Sequence, residues 1–420
     1  MNVYKFGGAS VKNADGVRNL AKIVQTQANG DLLIVVSAMG KTTNALEEVT
    51  RACHQQQPAE AYSRWQTVRQ YHEAIMNELS DQSPVPAFAP VFATFSQLER
   101  YLQQTPDESY DCVYDQIVSV GEIISTQIVA AYLNSTGIRA HWADARQLVR
   151  TDNTFREGKV DWDVTCRQIQ QMAQSADGII VTQGFIGQTP DGYTTTLGRE
   201  GSDYTAAIFA FCLNADSVTI WKDVPGVLNA DPKWFDETVL LERLTYQDAI
   251  ELAYYGATVI HPKTIKPLQN KDIALYVRSF LQPQQPGTEI CNNEHHLDIP
   301  SFIFKINQIL ISLHPYDFSF IAEDNLSRIF GRFAEAGVKI NLMQNTAISF
   351  SVVVDNNPDK IPALLERLKQ DFRITYNDGL ELITIRYYNQ RTIDRVCINK
   401  KLLLEQKSRY TVQLVVKDLG

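Results

Sequence analysis

The sequence predicts an α/β fold: an αβα sandwich carrying a helical insertion, followed by a ferredoxin-like βαββαβ region. Short, almost wholly apolar runs at 32–36, 178–181, 218–221 and 273–277 lie between helical patterns, as strands buried on both faces of a parallel sheet require. From about 45 to 111 the pattern turns helical and polar, with Tyr62, Trp65 and Tyr71 at helical spacing and a break at Ser83-Pro84-Val85-Pro86. A stretch rich in Pro, Gln and Asn, from Gln282 to Pro300, then separates this pattern from a second one.

The 420 residues are long for one core, so more than one domain is expected. The spacing assigns a first domain to 1–285, a linker to 286–300 and a second domain to 301–420. In the second, 309–313 reads as a strand and 325–336 as an amphipathic helix stopped by Gly337. A strand pair at 338–343 and 348–354, a helix at 361–370 and a strand at 372–376 complete one βαββαβ unit, about 305–378. Residues 379–420 supply one further strand, a helix expected over 392–406 and a last strand at 411–416, a shortened second unit.

Composition narrows the functional classes. Hydrophobic residues at 44% and charged residues at 21% are ordinary for a globular protein. A mean hydropathy of -0.21 and the lack of an unbroken apolar run of about 18 residues argue against a membrane span. A net charge of -9 disfavours nucleic acid as a partner. The first residues run straight into a strand, so no secretory signal is expected. The six cysteines are scattered without a C-x-x-C pair, so neither a zinc knuckle nor a disulfide framework is expected, and a cytoplasmic setting is. His295-His296, with Glu294 and Asp298, reads as a solvated linker and no metal site is assigned.

Four segments carry chemistry. Val3-Tyr4-Lys5-Phe6 reads as a strand, and Gly7-Gly8 after it can take positive φ and turn backbone N–H groups toward an anion, with Lys5 adding charge. In Thr194 through Ala207, two glycines flank Arg199, and Ser202 or Asp203 is placed to cap an alanine-rich helix, a position for a carboxylate or phosphate. Trp221 to Pro232 is a long loop after a buried strand, where open α/β sheets bind ligands. Gly256 ends one helix and Pro262 starts another, which holds Lys263 where its charge opposes the dipole and suits an anionic partner.

Together these segments resemble the aspartate kinases of the amino-acid kinase superfamily, over essentially the whole chain. Lys5 to Ser10 resembles the family's K-F-G-G-T-S with Ala9 for Thr; Val36-Ser37-Ala38-Met39 and Thr43-Asn44 resemble its V-S-A and T-N; Gly121-Glu122 its G-E. Thr196 to Asp203 resembles T-L-G-R-G-G-S-D with Glu200 for Gly, while residues 221–232 and 251–264 resemble W-x-D-V-x-G…D-P and E-x-x-x-x-G-A-x-V-I-H-P-K-T.

The resemblance implies ATP-dependent phosphorylation of L-aspartate, with Mg²⁺ accompanying ATP. Lys5, Asp203 and Lys263 would be catalytic. Aspartate would meet Ser37, Thr43, Glu122, Phe185, Arg199 and Ser202, with Arg199 gripping a carboxylate and Glu122 taking the ammonium. ATP would meet Lys5, Phe6, Gly7, Gly8, Ser10, Lys222, Asp223, Leu228, Lys233, Lys263 and Thr264, although relatives carry Tyr at Leu228 and Arg at Lys233. The C-terminal region resembles ACT domains, which implies a homodimer or larger homo-oligomer and an amino-acid effector, lysine or threonine, near Asn325, Leu326, Asn341, Asn345 and Thr346. Asn341 stands where lysine-sensitive relatives carry an acid. A non-catalytic sensor on a dead kinase fold would have lost Lys5, Glu122, Arg199, Asp203 or Lys263, and all are present. The runner-up is another acyl-phosphate-forming amino-acid kinase; a bifunctional kinase–dehydrogenase needs a further domain for which the chain has no length.

Overall fold

The computed structural model describes residues 1–28, 30–80, 85–104, 108–235, 237–257, 260–292, 299–317 and 319–419. His295-His296, Glu294 and Asp298 lie outside the described residues, as do Ser83 and Pro84 of the expected break. Two compact units form: 1–227 with 240–253 and 258–297, and 228–239 with 254–257 and 298–420. The segments 228–239 and 254–257 therefore join the second unit although they lie early in the sequence.

The first unit contains, in order, β1 (Asn2–Phe6), α1 (Ala14–Gln27), β2 (Leu32–Val36), α2 (Thr42–His54), α3 (Pro58–Leu79), α4 (Ala89–Leu102) and α5 (Tyr110–Ser135). Next come β3 (Ala140–Ala143), α6 (Ala145–Leu148), α7 (Trp162–Ser175), β4 (Ile179–Gln183), β5 (Ile186–Gln188), β6 (Thr194–Thr196), α8 (Gly201–Leu213) and β7 (Ser217–Lys222). It closes with β8 (Arg243–Thr245), α9 (Tyr246–Tyr255, its last two residues counted with the second unit), α10 (Pro262–Asn270), β9 (Ala274–Ser279) and β10 (Thr288–Cys291). The main sheet runs β3-β4-β2-β1-β7-β9-β10-β8. It is parallel except where β9 meets β10, so the expectation of a parallel sheet holds for its centre. β2 is buried at every position, which explains its unbroken apolar run.

β1 lies between β2 and β7, with Lys5 opposite Val35 on one side and Ile220 on the other. This central place fixes the Lys5 backbone from both edges. Gly7 and Gly8 do not take positive φ as anticipated. Gly8 is required by close approach instead, because a Cβ there would lie 2.6 Å from the Ala38 carbonyl oxygen.

Helices α2 to α5 form the helical layer, with Trp65 fully buried beside Phe95. α5 is the one described helix long and apolar enough to cross a membrane, yet 83% of that window is buried inside the protein, which makes it a core helix. A disulfide joins Cys166 of α7 to Cys212 of α8, a pairing the scattered spacing did not suggest; Cys53, Cys112, Cys291 and Cys397 are free.

The second unit contains β11 (Ser301–Pro315), α11 (Glu323–Glu335), β12 (Ile340–Asn345), β13 (Phe350–Asp355), α12 (Ile361–Leu368), β14 (Phe372–Arg386), α13 (Gln390–Val396), β15 (Lys400–Lys407) and β16 (Thr411–Asp418). They form one antiparallel sheet, β12-β13-β11-β14-β16-β15. The helix expected over 392–406 stops at Val396, and 400–407 is a strand paired with β16. Helix formers are abundant there, but Asn399 takes a left-handed φ of 56° and Leu404 packs against Leu382 and Val415, so pairing overrides propensity. The front of β11, Ser301–Lys305, pairs with the far end of β14, so this end of the sheet also takes a strand from before the first unit.

Candidate active site

The site grows from the C-terminal ends of β1 and β7. Lys5 and Lys222 leave these neighbouring strands and meet Asp203 in the first turn of α8, with Lys5 Nζ 2.6 Å from Oδ1 and Lys222 Nζ 3.6 Å from Oδ2. Burial pushes the Asp203 carboxyl upward, but the two ammonium groups outweigh it and hold the carboxyl below its ordinary range. Asp203 therefore remains an anion among cations. The cap expected from Ser202 or Asp203 is made differently: the residue before α8 is Glu200, left-handed at φ 53°, without a side-chain capping bond. Ser202 and Asp203 lie two and three residues beyond it, inside the first turn.

Gly198, at φ 78°, and Glu200 bracket Arg199 with two left-handed residues, a sharp turn that sets Arg199 in the lining of the cleft. Across it, Phe185 is left-handed at φ 71° and rests on the start of α8, where a Cβ on Gly201 would meet its ring at 2.6 Å. Glu122 enters from α5, held close to α2 because Gly121 has no side chain; a Cβ there would lie 2.9 Å from Thr42. Glu122 is 3% exposed. Burial pushes its carboxyl up to about 8, opposed only in part by the Ala38 N–H and the charge of Lys5, and its Oε2 has no hydrogen-bond partner among the described residues.

A cleft of about 810 Å³ joins these groups. It is lined by Lys5, Gly8, Ser37, Thr43, Glu122, Phe185, Arg199, Ser202, Asp203 and Lys222, brought together from distant segments. Other expected residues lie beside it. Lys263 donates to the Leu197 carbonyl at 3.3 Å and so reaches the Arg199 turn from behind, while Thr264 is buried with its hydroxyl unpartnered among the described residues. Phe6 stacks on Trp221 in the core, the Ser10 hydroxyl donates to the Trp221 carbonyl, and Asp223 is exposed after β7. Gly7 approaches Lys5, since a Cβ there would lie 3.4 Å from Nζ. Leu228 and Lys233 belong to the second unit.

Sequence reasoning missed Tyr114, Asp115, Arg156 and Thr196. Tyr114, Arg156 and Thr196 line the cleft, with Arg156 at φ 65° and its guanidinium 4.3 Å from the Tyr114 ring centroid. Asp115 is wholly buried beneath them. The signal was present in the turn-rich stretch Thr151 to Gly158, and in Asp115 itself, on the Glu122 face of α5 two turns earlier.

In the second unit, Asn341 is buried and fully engaged. It accepts from Lys305 Nζ at 2.9 Å and donates to Gln308 at 2.9 Å and Asp355 at 3.0 Å. Asn325 and Asn345 instead bond the 320–321 backbone, Leu326 packs against the core beneath α11, and Thr346 closes a turn with Ser349.

An open, largely parallel sheet with cationic side chains gathered at strand ends around a helix N-terminus describes a phosphoryl-transfer fold of the amino-acid kinase type. The amino acid kinase family model matches residues 1–279, and the chain belongs to that family. It is 29% identical over 395 residues to lysine-sensitive aspartokinase 3 of Escherichia coli, covering 91% of this chain and 86% of that protein. A bifunctional aspartokinase/homoserine dehydrogenase of Arabidopsis thaliana is 30% identical over 387 residues, covering 88% of this chain and 42% of that protein. Among solved structures, E. coli aspartokinase III superposes with a TM-score of 0.82 in complex with aspartate and ADP and 0.83 in complex with lysine and aspartate, at 27% identity, covering 99% of this chain and 96% of that one.

Proposed function

We propose that this protein is an aspartate kinase, which transfers the γ-phosphoryl group of ATP to the side-chain carboxylate of L-aspartate and yields 4-phospho-L-aspartate and ADP. This is the first step toward the aspartate-derived amino acids lysine, threonine, methionine and isoleucine. The observation that carries the reading is the cleft itself: two lysines on one buried carboxylate beside an Arg199 turn and a buried Glu122 whose Oε2 has no partner among the described residues.

A carboxylate oxygen of the substrate attacks the γ-phosphorus as the bond to the ADP oxygen breaks, so no proton need leave the nucleophile. The obstacle is repulsion between anions, and positioning with charge neutralisation removes it. Lys5 and Lys222 supply positive charge where the phosphoryl group passes, and Asp203 keeps both in place. Arg199 takes a substrate carboxylate with its fork and Glu122 takes the ammonium. Lys263, Lys233, Leu228 and Asp223 serve the nucleotide in the same reading. The described residues contain no group of three His, Cys, Asp or Glu side chains able to hold a metal. That donor set fits Mg²⁺ borne chiefly by ATP phosphates, where it would neutralise their charge, and does not fit a protein cage.

The C-terminal sheet belongs to the same proposal as a regulatory region for lysine or threonine, acting in a homo-oligomer of a cytoplasmic enzyme. Its open edges at β12 and β15 are available for pairing with another copy. An aspartyl-hydroxamate assay on the purified chain tests the activity. Product that depends on both ATP and aspartate is expected; none with aspartate but product with another amino acid would move the protein to a different member of the family.

A further inference from the structure

The free edge of β6 is held by α5 rather than by another strand. β6 pairs with β5 on one side only, Ile186 opposite Thr196. On the other side the Gln116 amide bonds Thr194 twice, accepting from its N–H at 3.1 Å and donating to its carbonyl at 2.9 Å. Asp115 follows, with Oδ2 accepting from the Thr196 N–H at 3.0 Å and Oδ1 from the Thr196 hydroxyl at 2.7 Å. The same Oδ2 accepts from the Arg156 N–H at 2.9 Å, and Gly158 N–H donates to the Thr196 carbonyl at 2.9 Å. One buried carboxylate thus joins three segments.

Each segment bears on the cleft. α5 carries Glu122 two turns beyond Asp115, about 10 Å along the same face. β6 runs directly into the Gly198-Arg199-Glu200 turn, and the 154–157 loop forms one wall. Arg156 sits in the left-handed region, where a non-glycine residue costs of order 1 kcal/mol and persists only under outside constraint. The bond from its N–H to Asp115 is such a constraint.

We propose that Asp115 is a positioning residue for aspartate, which sets the placement of Arg199 and the Arg156 loop against Glu122. The inference rests on the assignment of Arg199 and Glu122 to the amino-acid substrate. Asp115 touches no reactant; it fixes the span between the two groups that grip the substrate's opposite charges. Lys5 and Lys222, anchored on β1 and β7, do not hang from it, and Lys263, whose Nζ meets the Leu197 carbonyl beside it, is itself carried on α10.

Asp115→Ala and Asp115→Asn separate this from a general role in folding. An asparagine can accept both N–H bonds through Oδ1 and donate its amide to the Thr196 hydroxyl, so it preserves the three-way join. The alanine variant is expected to raise the aspartate KM at least tenfold while the ATP KM moves less than twofold, and the asparagine variant to stay within threefold of wild type for both. Thr196→Val, which removes only the hydroxyl bond, is expected to raise the aspartate KM about threefold and serves if the alanine variant does not fold. Equal rises in both KM values, or an unchanged aspartate KM in Asp115→Ala and Thr196→Val, would overturn the proposal. Arg199→Ala run alongside tells the two readings apart: an unchanged aspartate KM there overturns the substrate assignment itself, whereas a raised one with no Asp115 effect overturns only the positioning role.

Discussion

Lys5 and Lys222 leave neighbouring parallel strands and converge on the two oxygens of Asp203, at 2.6 and 3.6 Å. The carboxylate does not neutralise the site, since two positive charges share one negative. A net positive centre remains at the strand ends, directed at an anion that the protein does not itself supply. Lys5→Ala should therefore lower kcat by about 10²- to 10³-fold, the scale of one preorganised group facing transition-state charge. Circular dichroism should show a retained fold, because Lys222 still pairs Asp203. Near-normal turnover would remove Lys5 from the reaction.

Arg199 stands between Gly198 and Glu200, both in left-handed conformations, just beyond the strand that Asp115 ties to α5. Truncating it removes a charge-assisted contact worth about 1.5–3 kcal/mol, or roughly 10- to 100-fold. Arg199→Ala should raise the aspartate KM by that factor with little change in the ATP KM. Initial rates with each substrate varied in turn decide it.

The carboxyl of Glu122, pushed up to about 8, is mostly protonated at neutral pH in the empty site. An incoming ammonium favours the ionised form, so aspartate binding releases a proton below that value. Apparent affinity should improve as pH rises from about 6.5 toward 8 and level off above, approaching tenfold per pH unit on the slope. Folding shows the opposite sign: the folded state holds this proton over the window between the ordinary carboxyl value and about 8, so the contribution of Glu122 to stability declines as pH rises through it. Glu122→Gln should flatten both profiles. A pH-independent aspartate KM in the wild type would detach the ammonium from Glu122.

Asn341 spends both of its polar atoms on Lys305, Gln308 and Asp355. Asn341→Ala should cost stability, about 1–3 kcal/mol for buried groups left unpaired, and should change inhibition by lysine or threonine less than twofold. Hydroxamate assays with each amino acid, alone and together, read inhibition, and thermal melts read stability. Strong loss of inhibition in a variant of unchanged melting temperature would make Asn341 an effector contact.

Much of this molecule was legible locally. β2 is wholly apolar because it is buried on both faces, and Lys5, Glu122, Arg199, Ser202 and Asp203 stood out because their chemistry accompanied glycines and turn residues that have few other uses. Other features were not legible, since they are properties of pairs. Whether 400–407 is helix or strand depends on β16 alongside it, and the start of α8 is set by close approach, Gly201 against the Phe185 ring and Gly184 against Ser202.

The sequence by itself determined the buried parallel strands of the first unit and the residue types of the cleft, because periodicity and turn chemistry are short-range. Only the tertiary structure decided that one carboxylate restrains two lysines, that Glu122 is buried without a partner for Oε2, and that Asp115 joins α5, β6 and the Arg156 loop. Those facts arise from burial and from distances between segments far apart in the chain, and no local pattern encodes a distance.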